Sequence, residues 1–389
     1  MNLIPMLDLK REYEHMKADV DSAIQKCLEH QKWIFGPEIT ELEDKISQYI
    51  NIKHCIGVSS GTDALVLTLR ALSIKLKGQE YFNRSDLIIT TPFTFTATGD
   101  AILRVGATPV FVDIDPVTYN IDPKKILSAL KSMGSTGEVV GIIPVHLYGQ
   151  SCNMDEIMEI AKEYNLFVLE DVAQAFGGTW KYKKLGSIGV VGAFSFFPSK
   201  PLGGFGDGGM VATNDDEIAE LVRMLLKHGG KDKYNVDHIG YNARLDTFQA
   251  AIILAKFKYI DEFNERRRRI AEIYNEGLKD LEGIVLPFAP NSLPFADNRH
   301  VFHQYTVRIL NDKRNDLQKY FKERGISSMV YYPFPLHRMK VFEGRSRIFK
   351  KLNESEQAAS EVLSIPIEPL MKEEDVILVI EAIREFFTA

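Results

Sequence analysis

The sequence predicts an α/β fold built on a largely parallel β-sheet, followed by a smaller α+β unit. Three observations carry that expectation. Short apolar runs ("DLIITTP", "TPVFVDID", "VVGIIPVHLYG", "LFVLEDVAQ" and "VGAFSFF") recur between residues 86 and 197. Helical stretches such as "NMDEIMEIAKEYN" lie between several of them, and this alternation marks a parallel sheet covered on both faces. The chain has 389 residues, 45% of them hydrophobic, more than one core serves well, so a second unit is expected.

The elements follow in chain order. Leu9, Tyr13, Met16, Val20, Ile24 and Cys27 stand at helical spacing and predict an amphipathic opening helix. "HCIGVSSGTDALVLTLRAL" reads as a strand from Cys55 to Val58, a Ser/Gly turn, and a helix through Leu65, Leu69 and Leu72. "KLKGQEYFNRSD", Lys75 to Asp86, reads as a polar surface insertion before the next strand. After the strands, "RLDTFQAAIILAKF" puts Leu245, Phe248, Ile252 and Ala255 on one side of a helix. The boundary is placed there, dividing residues 1–260 from 261–389. The second part holds "YTVRIL", a helix "NDLQKYFKERG" stopped by Gly325, "VYYPFPLH", and a closing amphipathic helix "EEDVILVIEAIREFF".

Composition narrows the function. A net charge of −6 and a pI of about 5.9 give no general affinity for nucleic acid or anionic membrane. The basic run Arg266 to Arg269 reads as a solvated helix face. Cys27, Cys55 and Cys152 are scattered with no CxxC pair, which fits a reducing cytoplasm and no structural zinc. His300 and His303 lack acidic or Cys company, so no metal is expected there. No apolar run has the length of a membrane span, and the N-terminus lacks a signal-peptide core.

The chemistry gathers where strands end, as ligands do in such sheets. "SSGTDAL" from Ser59 opens a helix, and its free N–H groups and dipole suit a phosphate; an ordinary N-cap reads equally well. Gly57 to Gly61 also matches G-x-S-x-G, a hydrolase nucleophile elbow, but with a mostly helical leader where preceding strands should be. In "LEDVAQAFGG", Asp171 follows apolar strand residues; it could bind a metal, hold a protonated ring nitrogen, or cap a loop. In "FSFFPSKPLGGFGDGG", Lys200 lies between aromatics and glycines. Lost hydration there lowers a lysine's pKa and frees a nucleophilic amine. A lysine, an acid, a phosphate turn and an aromatic from "TPFTFTAT" (Phe93, Phe95) are together what pyridoxal phosphate requires.

At this point the sequence resembles the DegT/DnrJ/EryC1/StrS sugar aminotransferases. The likeness runs from "IPMLDLKREY" through "WIFGPEITELE", "SSGTDAL", "HLYGQSCNMD", "EDVAQAFGG" and "FSFFPSKPLGGFGDGG" to "HGGKDKYNVDHIGYNARLDTFQAAI" and "YYPFPLH". The resemblance implies the pyridoxal-phosphate fold type I of aspartate aminotransferase, with a mostly parallel seven-stranded sheet. It implies a cytoplasmic homodimer with shared sites that transfers the amino group of L-glutamate to a keto nucleotide sugar. By the same resemblance Lys200 forms the Schiff base, Asp171 pairs with the ring nitrogen, Gln174 bonds the ring hydroxyl and Phe95 stacks on the ring. Gly61, Thr62 and Ser195 would hold the phosphate, with Asn242 reaching it from the other subunit. Arg244 matches an arginine that receives a substrate carboxylate; Tyr331 and Tyr332 fall in a substrate-contacting motif. Several relatives have His where this chain has Tyr331. The motifs are most similar to those of members that aminate C3 of UDP-3-keto-N-acetylglucosamine, its uronate, or dTDP-3-keto-6-deoxyhexoses. Amination at C4, or a regulatory protein that keeps only the fold, are the alternatives.

Overall fold

The computed structural model describes residues 3–133, 138–232, 234–287 and 298–388. Its strands are β1 (His54–Val58), β2 (Asp86–Thr90), β3 (Thr108–Phe111), β4 (Glu138–Ile143), β5 (Phe167–Asp171), β6 (Thr179–Trp180), β7 (Lys183–Lys184), β8 (Val191–Ser195), β9 (Gly209–Thr213), β10 (Ile284–Val285), β11 (Tyr305–Ile309), β12 (Arg347–Ile348) and β13 (Val362–Ile365). Helices α1 (Leu9–His30) and α2 (Pro37–Ile50) precede the first strand. Helices α3 (Gly61–Lys77), α4 (Thr96–Arg104), α5 (Pro123–Met133) and α6 (Met154–Glu163) alternate with β1 to β5. Helices α7 (Asp216–Leu225), α8 (Thr247–Phe257) and α9 (Ile260–Leu278) lead out of the sheet; α10 (Arg314–Glu323), α11 (Asn353–Glu361) and α12 (Glu373–Thr388) follow.

The main sheet runs β1-β9-β8-β5-β4-β2-β3-β12. Only β9 is antiparallel to its neighbours, so the expected mostly parallel sheet is present. It has eight strands where seven were expected. The eighth is β12, a two-residue piece from past residue 260 that pairs with Val110 and Phe111 at the β3 edge. Two residues are too short for any periodicity to announce.

Neighbouring strand residues point to opposite faces, and both faces are covered. Ile89, Ile142 and Val168 join one core with Leu42 and Ile46 of α2 and Ile157 of α6. Ile88, Ile143 and Leu169 join the opposite core with Leu65 and Leu69 of α3 and Val222 of α7. Each such side chain contributes roughly 1.5–3 kcal/mol over an exposed position. A third core unites Tyr274 of α9, Val307 of β11, Phe321 of α10, Leu363 of β13 and Val379 of α12, and Ile4 from the N-terminus also packs there.

Local signals set the helix ends that matter for the site. Ser60 caps α3 by accepting a hydrogen bond from the Asp63 N–H, and Gly78 closes it with φ +62°. Replacing such a cap by Ala costs about 1 kcal/mol. Asp246 caps α8 in the same way through the Gln249 N–H.

The stretch from Lys75 to Asp86 lies at the surface between α3 and β2 with most of its residues exposed, though its first residues complete α3 and Phe82 is buried against the core. One expectation needs correction. The run Arg266–Arg269 is only partly a solvated face. Arg266, Arg268 and Arg269 pair with glutamates on their own helix, but Arg267 is buried.

Candidate active site

Four strand ends meet at one edge of the main sheet. Asp171 is the last residue of β5 and Ser195 the last of β8. Helix α3 begins just after β1, and Phe95 precedes α4 just after β2. Lys200 lies in the turn-rich connection between β8 and β9, where its N–H donates to the Phe197 carbonyl at 2.8 Å. This connection starts and ends in the antiparallel pairing of Ser195 with Gly209, so it is tied at both ends to the centre of the sheet.

Asp171 is buried. Its Oδ2 accepts from the Thr98 hydroxyl at 2.8 Å, and its Oδ1 from the Ala173 N–H at 3.2 Å. Burial pushes its pKa up; those two hydrogen bonds and the nearby charge of Lys200 pull the other way. Burial in turn pushes the Lys200 pKa down, opposed by the charge of Asp171. Each group therefore senses the other, and desolvation dominates both.

Gln174 is buried with both ends of its amide engaged. Its Oε1 accepts from the Tyr148 N–H at 2.8 Å, and its Nε2 donates to the Tyr332 hydroxyl at 2.9 Å. Tyr332 also lies 6.3 Å, centroid to centroid, from both Phe93 and Phe95. Phe95 itself is 55% exposed, which leaves a ring face open. Tyr331 is half-buried, and its carbonyl accepts from the Tyr148 hydroxyl. Thus Phe95, Gln174, Tyr331 and Tyr332 form one group around Tyr148.

At the start of α3, the N–H groups of Asp63 and Ala64 donate to Ser60. Gly61 and Thr62 supply the donors of that helix end left over among the described residues, where the dipole favours an anion. A Cβ on Gly61 would come within 2.6 Å of the Ser195 Cβ, so only glycine lets the helix end and the β8 end come so close. The Ser59 hydroxyl donates to Asp63 at 2.5 Å rather than to a histidine, and this removes the nucleophile-elbow reading.

The segment with Asn242 and Arg244 runs beside Ser59, whose N–H donates to the Ala243 carbonyl at 2.9 Å. The Nε of Arg244 is buried with no hydrogen-bond partner among the described residues. Such an orphaned donor fits an anionic ligand. Asn242 is exposed on this chain and makes no side-chain hydrogen bond among the described residues with the other predicted site residues.

Several residues around the site escaped sequence reasoning. Thr98, one turn into α4, anchors Asp171. His303, weighed from the sequence only as a metal ligand, is buried, and its pKa is pushed down by desolvation and by the charges of Lys200 and Arg267. His146 and Glu170 are buried together, with Nε2 of His146 3.1 Å from the carboxylate. The Cys152 N–H donates to Nδ1 of His146, so Nε2 is the nitrogen that donates to Glu170. The motif "LEDVAQ" did contain Glu170, but strand alternation alone did not say what its far face would meet. His300, as expected, is structural: its Nδ1 accepts from the Phe302 N–H at 2.8 Å, and burial pushes its pKa down to about 3. The one cluster of metal-ligand type among the described residues, Cys27, His30 and Glu38, lies near the ends of α1 and α2. The Lys32 N–H donates to Nδ1 of His30, leaving Nε2 as the donor to Glu38 at 3.1 Å and not as a free ligand.

Comparison with known proteins bears directly on this arrangement. Residues 14–384 match the profile of the DegT/DnrJ/EryC1/StrS aminotransferase family. The chain is 44% identical over 385 residues to a pleiotropic regulatory protein of Geobacillus stearothermophilus, covering 99% of this chain and 98% of that protein. It is 39% identical over 369 residues to the UDP-2-acetamido-2-deoxy-3-oxo-D-glucuronate aminotransferase of Pseudomonas aeruginosa, covering 95% and 96% of the two. The structure of NtdA from Bacillus subtilis with bound cofactor PMP superposes with a TM-score of 0.86 at 29% identity, covering all of this chain and 85% of that one.

Proposed function

The chain belongs to the DegT/DnrJ/EryC1/StrS aminotransferase family, and on that premise we propose that it moves the amino group of L-glutamate to C3 of a 3-keto nucleotide sugar. Membership makes it a pyridoxal 5'-phosphate-dependent nucleotide-sugar aminotransferase. The amino donor, the carbon aminated and the role of each residue are our reading. The observation that carries it is the placing of buried Asp171 at the end of β5 and half-buried Lys200 in the connection that follows β8, near enough that each shifts the other's titration while desolvation disfavours both charged forms.

The residues present fit the cofactor. The close approach of Gly61 to Ser195, beside the free amides of Gly61 and Thr62, suits a phosphate. The exposed face of Phe95 suits a ring, and Asp171 suits a protonated ring nitrogen, which would supply the cation its buried carboxylate lacks. We assign the ring hydroxyl to Gln174, whose amide is already held from two sides. Asn242 is exposed on its own chain, which fits a role at the phosphate of a second copy in a homodimer.

When bound, the cofactor supplies an electron sink for the carbon that gains or loses a proton. Lys200 contributes an amine whose neutral form is favoured by its lowered pKa; it would hold the cofactor through its amino group and, once released, would take the proton from the reacting carbon and return it. Thr98 and the Ala173 N–H fix both oxygens of Asp171, so its charge is oriented before the reaction. Arg244 offers its unpaired Nε to the carboxylate of L-glutamate. Tyr331 and Tyr332 stand on the substrate side, with Tyr332 joined to Gln174. A cytoplasmic location and the division of the chain at residue 260 belong to the same reading; no helix among the described residues is long and apolar enough to cross a membrane.

C3 is preferred because the Pseudomonas aeruginosa relative is named for a 3-oxo sugar. A regulatory role is the second reading, since the Geobacillus stearothermophilus relative is named a regulatory protein. The visible spectrum of the purified holoenzyme tests all of these. Bleaching by L-glutamate, then recovery of colour with a 3-keto nucleotide sugar, supports our reading. Recovery only with a 4-keto sugar moves the amine to C4, and no response to glutamate favours the regulatory role.

A further inference from the structure

Arg70 lies on α3 with none of its side chain exposed. A buried guanidinium is costly unless its donors are matched. Here the partners come from two segments remote from α3 in function. The Glu80 carbonyl accepts from Nε, and a Glu80 carboxylate oxygen accepts from Nη2. The Ile239 carbonyl accepts from Nη2 at 3.0 Å, and the Tyr241 hydroxyl from Nη1 at 3.0 Å. The guanidinium also stacks over the Tyr81 ring at 3.9 Å. The second oxygen of Glu80 lies 2.6 Å from Nδ1 of His238.

Glu80 sits in the insertion between α3 and β2, and that insertion is held firmly. Phe82 is buried, and its N–H donates to the Val105 carbonyl at 3.0 Å. Gly106, with φ +87°, makes room for it: a Cβ there would come within 2.4 Å of the Phe82 carbonyl oxygen. On the other side, residues 228–232 and 234–243 belong to an arm. His228 donates to the Tyr241 carbonyl, Tyr241 to the Leu225 carbonyl and Ala243 to the Leu226 carbonyl, at 2.9, 2.7 and 3.0 Å. Residues 234–237 of the arm are exposed, so its base does the anchoring. Alternate residues of an extended segment face opposite ways. Tyr241 packs inward on Arg70 and Ala243 is buried, which turns Asn242 outward.

We propose that Glu80 and Arg70 are a positioning pair through which the insertion sets the arm and so the placement of Asn242 and Arg244. Arg70 grips Ile239 and Tyr241, the latter next to Asn242 and three residues before Arg244, while Glu80 meets His238 of the same arm. Any other course of the arm leaves a buried cation short of acceptors, so the arm is held in one position. This inference rests on the reading that Arg244 receives the carboxylate of L-glutamate.

The test compares Glu80→Ala and Glu80→Gln holoenzymes with wild type, with Arg244→Ala as the control. Hydrogen exchange of the peptide spanning residues 225–244 reports the arm, and steady-state kinetics report its use. In Glu80→Ala, protection is lost in that peptide while the sheet strands keep theirs. KM for L-glutamate rises about tenfold with kcat within about threefold, and Glu80→Gln, which keeps the shape and an acceptor, recovers part of both. Wild-type protection of the arm in both variants overturns the proposal. So does a uniform loss of protection across the molecule in Glu80→Gln, which would make the pair merely structural. If the arm loosens but glutamate KM moves only in Arg244→Ala, the positioning role falls. If the arm loosens and Arg244→Ala leaves glutamate KM unchanged, the assignment of Arg244 falls and the brace stands.

Discussion

Glu170 and Asp171 are neighbours on β5, both carboxylates, both buried, and they end in opposite circumstances. Glu170 accepts from the N–H groups of Gly186, Ile188 and Gly189 at 2.9, 2.7 and 2.7 Å, and faces His146 at 3.1 Å. Among the described residues Asp171 accepts only from Thr98 and the Ala173 N–H, and burial leaves its charged form disfavoured. One strand step reverses the side-chain direction, so the two acids meet different environments. A carboxylate whose lone pairs are all used holds the fold together; one left short of partners is placed for a ligand.

That contrast can be tested at both ends. The largest effect belongs to the under-satisfied side: Lys200→Ala lowers turnover by about 10³-fold or more and removes the lysine-linked absorbance, read in single-turnover assays and spectra. The two acids should then separate cleanly. Glu170→Gln destabilises the protein by about 3 kcal/mol in urea unfolding, because a buried network of charge-assisted bonds is broken. Asp171→Asn instead lowers kcat by about 10²-fold without loss of stability in the cofactor-free protein. If both variants lose stability alike, the distinction between the carboxylates is wrong.

The pH dependence sharpens the same point. The Asp171 pKa is raised on folding, so the folded state binds its proton more readily than the unfolded state. Cofactor-free protein therefore loses stability through this group as pH rises from the ordinary Asp value of about 3.9 through the raised folded value. Unfolding curves of wild type and Asp171→Asn should diverge above that window, with the variant more stable, and converge below it. Two smaller effects complete the series. Thr98→Val removes one bond to Asp171 and lowers kcat several-fold, a loss of about 1 kcal/mol. Ser59→Ala changes kcat by no more than about twofold, since this hydroxyl bonds Asp63 and carries no chemistry in this reading.

Much of this arrangement was legible in the residues. Strand β5 and the placing of its acid at the strand end followed from an apolar run that ends in Glu-Asp, and the α3 turn followed from Ser-Gly-Thr before a helical pattern. Strand β9 was not anticipated, because "GMVAT" is brief and joins the sheet only by pairing back on β8. Two inward contacts of the surface insertion were missed for a related reason. Its composition is polar, yet Glu80 is drawn in by a buried arginine and Phe82 by the core, and neither partner is a sequence neighbour.

By itself the sequence determined the alternation of strands and helices, the lysine between aromatics and glycines, and the acid at the end of β5. These depend on periodicity and on residues within a few positions of one another, where backbone geometry dictates direction. Only the tertiary structure decided that Gln174 would bond Tyr332, that Phe95 would stand beside that tyrosine, that Glu170 would be satisfied and Asp171 would not, and that Glu80 would reach Arg70 and His238 together. Gln174 and Tyr332 are 158 residues apart, and His238 and Glu80 likewise. No local pattern encodes such pairs. They form because burying a polar group without a partner is costly, and the whole fold must place that partner.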